Sequence, residues 1–184
     1  MIVLLLADGF EEIEALTPVD ILRRAGVDVR TVAIAAREVV GAHDIRVIAD
    51  MTADELDMAE VEGVIFPGGM PGSLNLDASP VTDVIIDAVN SRGGRIAAIC
   101  AAPIILGCRG LLDGRRATCY PGFEDELRGA ILSTAPVVTD GNITTSRGMG
   151  TALAFSLELV RLFVGADKAR DISAGICSNE EIKE

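Results

Sequence analysis

Short, almost wholly apolar runs recur along this chain, and each gives way to a segment with helical spacing. Residues 2–7 read IVLLLA, residues 63–66 read GVIF and residues 95–100 read RIAAIC. Such runs are too short to cross a membrane as helices, which need about 20 apolar residues. They fit strands covered on both faces, as in a parallel sheet. Between them, residues 11–26 (EEIEALTPVDILRRAG) place Ile13, Leu16, Val19, Leu22 and Ala25 at helical spacing, with Gly26 as the stop. Residues 79–94 (SPVTDVIIDAVNSRGG) read as a helix with Ser79 as N-cap and Pro80 at the first helical position. This alternation predicts an α/β fold, a doubly wound sandwich with a mainly parallel central sheet. A length of 184 residues fits one domain, 1–184.

The remaining segments extend the pattern. Residues 27–35 read as a strand, and 37–62 as a small strand pair followed by an acidic segment capped by Thr52 or Asp54. A helix is expected over 101–110, then strands at 116–120, 136–140 and 142–146, the last two joined by the turn-forming pair Asp140-Gly141. Helices at about 150–164 and 167–174 complete the chain.

Composition narrows the function. Aromatics make up 3% of the residues and tryptophan is absent, so the core is aliphatic. A net charge of −12 repels phosphates, which argues against nucleic acid and anionic membranes as partners. The opening apolar run lacks the basic start and length of a signal peptide, so a cytoplasmic protein is expected. Four cysteines without a C-x-x-C pair, and a single histidine, His43, give no zinc pattern. No metal or cofactor is expected, and the cysteines are expected as free thiols.

Ligand sites of such sheets lie at the carboxyl ends of the strands, and three strand ends carry suggestive residues. The first is Cys100 in AAICAAP. A nucleophile elbow requires small residues two positions either side of the nucleophile, and here these are Ala98 and Ala102. A sulfur at a helix start would be stabilised as thiolate, and the N–H groups that follow could hold an oxyanion. Composition alone favours a buried structural cysteine, and the strand–Cys–helix context with small flanks sets the nucleophile beside it as an equal reading. The second is Pro67-Gly68-Gly69, a plain glycine turn or a source of an oxyanion donor at Gly69. The third is the trio Glu11, Glu12 and Glu14. Acidic residues favour a helix start in any case, and periodicity does not choose which one could face the sulfur. His43 reads as a loop histidine with local partners, and Cys108, Cys119 and Cys177 as structural or incidental.

Taken together, DGFEEIEALTPVDILRRAG, VIFPGGMPGSLNL, AAICAAP and TSRGMGTA resemble, in order and over nearly the whole chain, the DJ-1/PfpI superfamily, in its DJ-1/YajL-like branch. The resemblance implies a flavodoxin-like fold and a homodimer. It implies that Cys100 is an oxidation-prone nucleophile and that Glu14 is a protonated carboxyl hydrogen-bonded to it. Gly69 and Ala101 become backbone donors, and Gly68, Tyr120 and Arg147 become pocket residues. One position departs from the pattern. Where some members carry His-Pro, this chain has Tyr120-Pro121, so it looks unlike the PfpI-type proteases and class I amidotransferases that rely on a nearby histidine. The implied activity is a glutathione-independent glyoxalase of type III, converting methylglyoxal or glyoxal to 2-hydroxy acids, with a related and disputed deglycase activity. An alternative is a redox-responsive protective protein or chaperone sensing oxidants through Cys100. A cysteine hydrolase would need His43 as its base.

Overall fold

The computed structural model describes residues 1–182. The chain runs β1 (Ile2–Leu6), α1 (Glu12–Arg24), β2 (Val29–Ala33), β3 (Glu38–Val40), β4 (Arg46–Ile48), β5 (Met51–Thr52) and β6 (Gly63–Phe66). It continues through α2 (Gly72–Asp77), α3 (Pro80–Ser91), β7 (Arg95–Ile99), α4 (Pro103–Cys108), β8 (Arg116–Ala117) and β9 (Ile131–Leu132). The last elements are β10 (Val137–Asp140), β11 (Ile143–Ser146), α5 (Ala152–Phe163) and α6 (Ala166–Gly175). A seven-stranded sheet has the order β10-β11-β7-β6-β1-β2-β5. Every pairing in it is parallel except the β10–β11 hairpin, which turns at Asp140-Gly141 as its sequence predicts. The fold is therefore the α/β sandwich expected from the alternating runs.

Side-chain alternation along the buried strands sends residues to both faces. Leu4, Leu6, Ile65, Ala97 and Ile99 join α1 and α5 in one apolar layer. Val3, Leu5, Val64, Phe66, Ile96 and Ala98 join α3 and α4 in the other. Both faces are covered, which is why these strands contain almost no polar residue.

Parts of the sequence reading need correction. Ile13 and Leu16 lie outside the buried stripe of α1, at 47% and 38% exposure. The buried residues are instead Glu12, Glu14, Ala15, Pro18, Val19, Ile21 and Leu22, so the helix is rotated to bury two carboxylates. Ser79 stands at the N-cap position of α3, but its side chain makes no capping bond. At Thr52 the Glu55 carboxylate reaches back over a 3-10 turn, its Oε2 accepting from the Thr52 N–H and Oγ1 at 2.7 and 2.9 Å. The strand expected over 116–120 shrinks to two residues, paired with β9, and α2 is a helix too short to leave a periodic signal.

The corrected face of α1 is testable. Leu22→Ala should cost about 2–5 kcal/mol in urea unfolding, whereas Ile13→Ala should change stability by less than about 0.5 kcal/mol.

Candidate active site

The parallel strands β1, β6 and β7 end at one edge, and their loops are tied together there. Glu11 N–H donates to Gly68 O at 2.9 Å and Gly72 N–H to Gly9 O at 3.1 Å. Cys100 follows β7 directly. Its φ is +65°, a left-handed conformation for a residue with a side chain, which costs about 1–3 kcal/mol and persists only where surroundings enforce it. Here Cys100 N–H donates to Ser146 O at 2.9 Å, and Cys100 O accepts from Tyr120 N–H at 2.8 Å. Ala98 and Ala102 are fully buried on either side. The strand-to-helix elbow read from the sequence is thus present.

Gly68 brings the other wall close. A methyl added there would lie 2.6 Å from Cys100 Cβ and 3.0 Å from Ile99 O, and would overlap Glu14 Oε2. Only glycine permits this approach. Its N–H donates to Glu14 Oε2 at 2.9 Å, and the Met149 N–H also donates to the Glu14 carboxyl. Glu14 is 1% exposed and hydrogen-bonds the Cys100 side chain. Of the three glutamates, it is Glu14 that meets the sulfur.

Burial pushes the Glu14 carboxyl up to about 7, and the charge of Glu11 adds to the rise; hydrogen bonds from Cys100, Gly68 and Met149 oppose it. Burial likewise pushes the Cys100 thiol up to about 12, helped by the charge and hydrogen bond of Glu14, while the N–H groups of Ala101 and Gly69 pull it down. The expectation of a thiolate stabilised by the helix start is therefore corrected. The loss of water and the carboxyl next to the sulfur outweigh the two backbone donors. The two groups behave as one unit that resists a second negative charge. Above about pH 7 the pair holds one charge and one proton, and a transfer from sulfur to carboxyl yields a thiolate facing Ala101 and Gly69.

Of the other predicted residues, Tyr120 borders this pair. Tyr120 is 49% exposed. A methyl on Gly148 would sit 3.2 Å from its Cδ2 and 3.8 Å from Glu14 Oε1, so ring and carboxyl flank the same glycine. Arg147 follows β11, and its charge bears on Cys119 and Glu124. His43 is engaged elsewhere. Its Nδ1 lies 2.9 Å from Glu12 Oε2 and 3.5 Å from Glu11 Oε2, and its N–H donates to Glu12 Oε1 at 2.8 Å. The Glu12 hydrogen bond, with the charges of Glu11 and Glu12, raises the His43 pKa. Burial works to raise Glu12, but the His43 hydrogen bonds prevail and hold it below its ordinary value. Ligating atoms of Glu11, Glu12 and His43 lie within 4.8 Å of one another, so a cation there would compete with the imidazole for Glu12. Cys119 is buried, and Cys108 and Cys177 are exposed.

Sequence reasoning missed the donors from Met149 to Glu14 and from Tyr120 to Cys100. Both are backbone groups, and a backbone N–H leaves no residue-type signature.

The sequence pattern of the DJ-1/PfpI family matches residues 1–162. The chain belongs to the DJ-1/PfpI family. Protein dj-1beta of Drosophila melanogaster is 34% identical over 175 residues, covering 94% of each chain. Its crystal structure matches with a TM-score of 0.93 at 32% identity, covering 97% of this chain and 98% of that one. The structure of a DJ-1 superfamily protein from Salmonella typhimurium matches with a TM-score of 0.93 at 38% identity, over 97% of this chain and 98% of that one. A protein named a deglycase in Pyrococcus abyssi is 34% identical over 164 residues, 88% of this chain and 98% of its own. Among the described residues, no helix of this family member is long and apolar enough to cross a membrane.

A pH-dependent stability follows from Glu14. Its folded pKa of about 7 lies above the ordinary 4.5, so the folded state binds the proton more tightly than the unfolded chain. This contribution is fully present below pH 4.5 and lost as pH rises through about 7. Glu14→Gln should therefore gain stability relative to the native protein as pH increases from 5 to 8, by up to about 3 kcal/mol. Urea unfolding of both across that range measures the difference.

Proposed function

We propose that this protein is a glutathione-independent glyoxalase of type III, acting on methylglyoxal or glyoxal through Cys100. The observation that carries the proposal is the buried Glu14 carboxyl in hydrogen-bond contact with the Cys100 side chain. The thiolate attacks the aldehyde carbon C1, forming a C–S bond and a hemithioacetal. The oxygen that gains charge is held by the N–H groups of Gly69 and Ala101, which already face the sulfur. Glu14 gives the proton it took from the sulfur to that oxygen, and as the carboxylate it then removes the C1 proton and returns it to C2 through an enediol. C1 is thereby oxidised to a thioester and C2 reduced to an alcohol, so no external oxidant or cofactor is consumed. Water cleaves the thioester, releasing the 2-hydroxy acid and the thiol. The deglycase named in Pyrococcus abyssi fits the same chemistry, the thiol capturing an aldehyde carbon carried as an adduct. The homodimer implied by the resemblance is part of this reading.

A second reading, oxidant sensing through Cys100, is favoured by the same donors. A protonated Glu14 and two N–H groups would stabilise an oxidised sulfur. A hydrolase built on His43 is disfavoured, because Glu12 and Glu11 hold that ring.

Purified protein given methylglyoxal without added thiol should produce lactate, and Cys100→Ser should produce none above background. Glu14→Gln should lower kcat by about 10²-fold or more, whereas His43→Ala should leave it unchanged. Because the reactive unit has lost one proton, kcat/KM should rise with pH up to about 7 and then level. If Cys100→Ser matches the native rate, the enzyme reading fails. Mass spectrometry after mild peroxide tests the sensor reading, which requires oxidation selective for Cys100.

A further inference from the structure

Tyr120 is the single tyrosine of a chain that has no tryptophan. Its backbone is pinned to the elbow by the 2.8 Å bond from its N–H to Cys100 O. Its ring lies close to Gly148. A methyl at that glycine would lie 3.2 Å from Cδ2, 3.7 Å from Cε2 and 3.8 Å from Glu14 Oε1. Phe123 props the ring in a T-shaped contact with centroids 6.4 Å apart and an interplanar angle of 67°. The ring is thus held from backbone, glycine and phenylalanine, yet 49% of the residue stays exposed. About half of an aromatic residue beside the Glu14 carboxyl is thus left open to solvent.

We propose that Tyr120 is the specificity-determining residue of this site, and that its ring favours 2-oxoaldehydes whose C2 carries a flat aryl group over those that carry a methyl. The inference rests on the aldehyde reading of the Cys100–Glu14 pair. Glu14 must reach both C1 and C2, which places the C2 substituent on the Glu14 side of the sulfur. Gly148 and the Tyr120 ring form the wall there. A methyl group gains little from such a wall, whereas an aryl ring stacks on it or meets its edge.

The test compares kcat/KM for phenylglyoxal and methylglyoxal in the native protein, Tyr120→Phe and Tyr120→Ala. The ratio should fall about fivefold in Tyr120→Ala, the value of one aromatic pair, through KM more than kcat. Tyr120→Phe should keep it, since the ring and not the hydroxyl forms the wall. An unchanged ratio in Tyr120→Ala, or a ratio lost in Tyr120→Phe, overturns the proposal. Binding provides a readout that does not depend on turnover. Tyrosine emission reports Tyr120 alone, and mandelate should perturb it at lower concentration than lactate. If neither aldehyde is turned over, the glyoxalase reading fails by itself. The mandelate titration then still decides whether this ring receives an aryl group, and equal responses to the two acids overturn that.

Discussion

The contact between the Glu14 carboxyl and the Cys100 sulfur constrains everything around it. Both groups are acids, both are withdrawn from water, and only one of them holds a charge comfortably at neutral pH. Placing them together requires a glycine at 68, because any side chain there would occupy the same space. It goes with the left-handed backbone turn at Cys100. It also requires α1 to turn a glutamate inward and leave Ile13 and Leu16 outside.

These arrangements are unfavourable one by one, and the sheet makes them tolerable. Residues of β1, β6 and β7 are buried in two apolar layers, one under α1 and α5 and one under α3 and α4. Burial of this kind is worth about 25 cal/mol per Å² of apolar surface, enough in aggregate to hold a strained residue and a buried carboxyl at one edge. The backbone then supplies the solvation that water no longer does. Gly68 and Met149 donate to the carboxyl, and Ala101 and Gly69 donate to the sulfur.

Much of this was legible in the residues. The buried strands, the elbow with Ala98 and Ala102, and the β10–β11 turn at Asp140-Gly141 follow from local rules that each involve a few neighbouring positions. The choice among Glu11, Glu12 and Glu14 was not legible from periodicity, because the face of α1 is set by what it packs against rather than by its own apolar residues. The state of the thiol was misread for a related reason. The helix-start argument is local and favours thiolate, whereas the carboxyl that opposes it arrives from a residue 86 positions earlier in the chain. The resemblance supplied Glu14 where periodicity could not, and the geometry adds why it works: a carboxyl whose proton leaves near neutrality can both give and take one.

The central claim is that Glu14 and Cys100 share a single charge, with Glu14 titrating near neutrality. Infrared difference spectroscopy of the protonated carboxyl stretch, followed against pH in the native protein and in Glu14→Gln, tests it most directly. The account predicts a buried carboxyl band that disappears with a midpoint of about 7 and is missing from Glu14→Gln. A native protein in which no band specific to Glu14 survives above the ordinary carboxyl midpoint of 4.5 would contradict it.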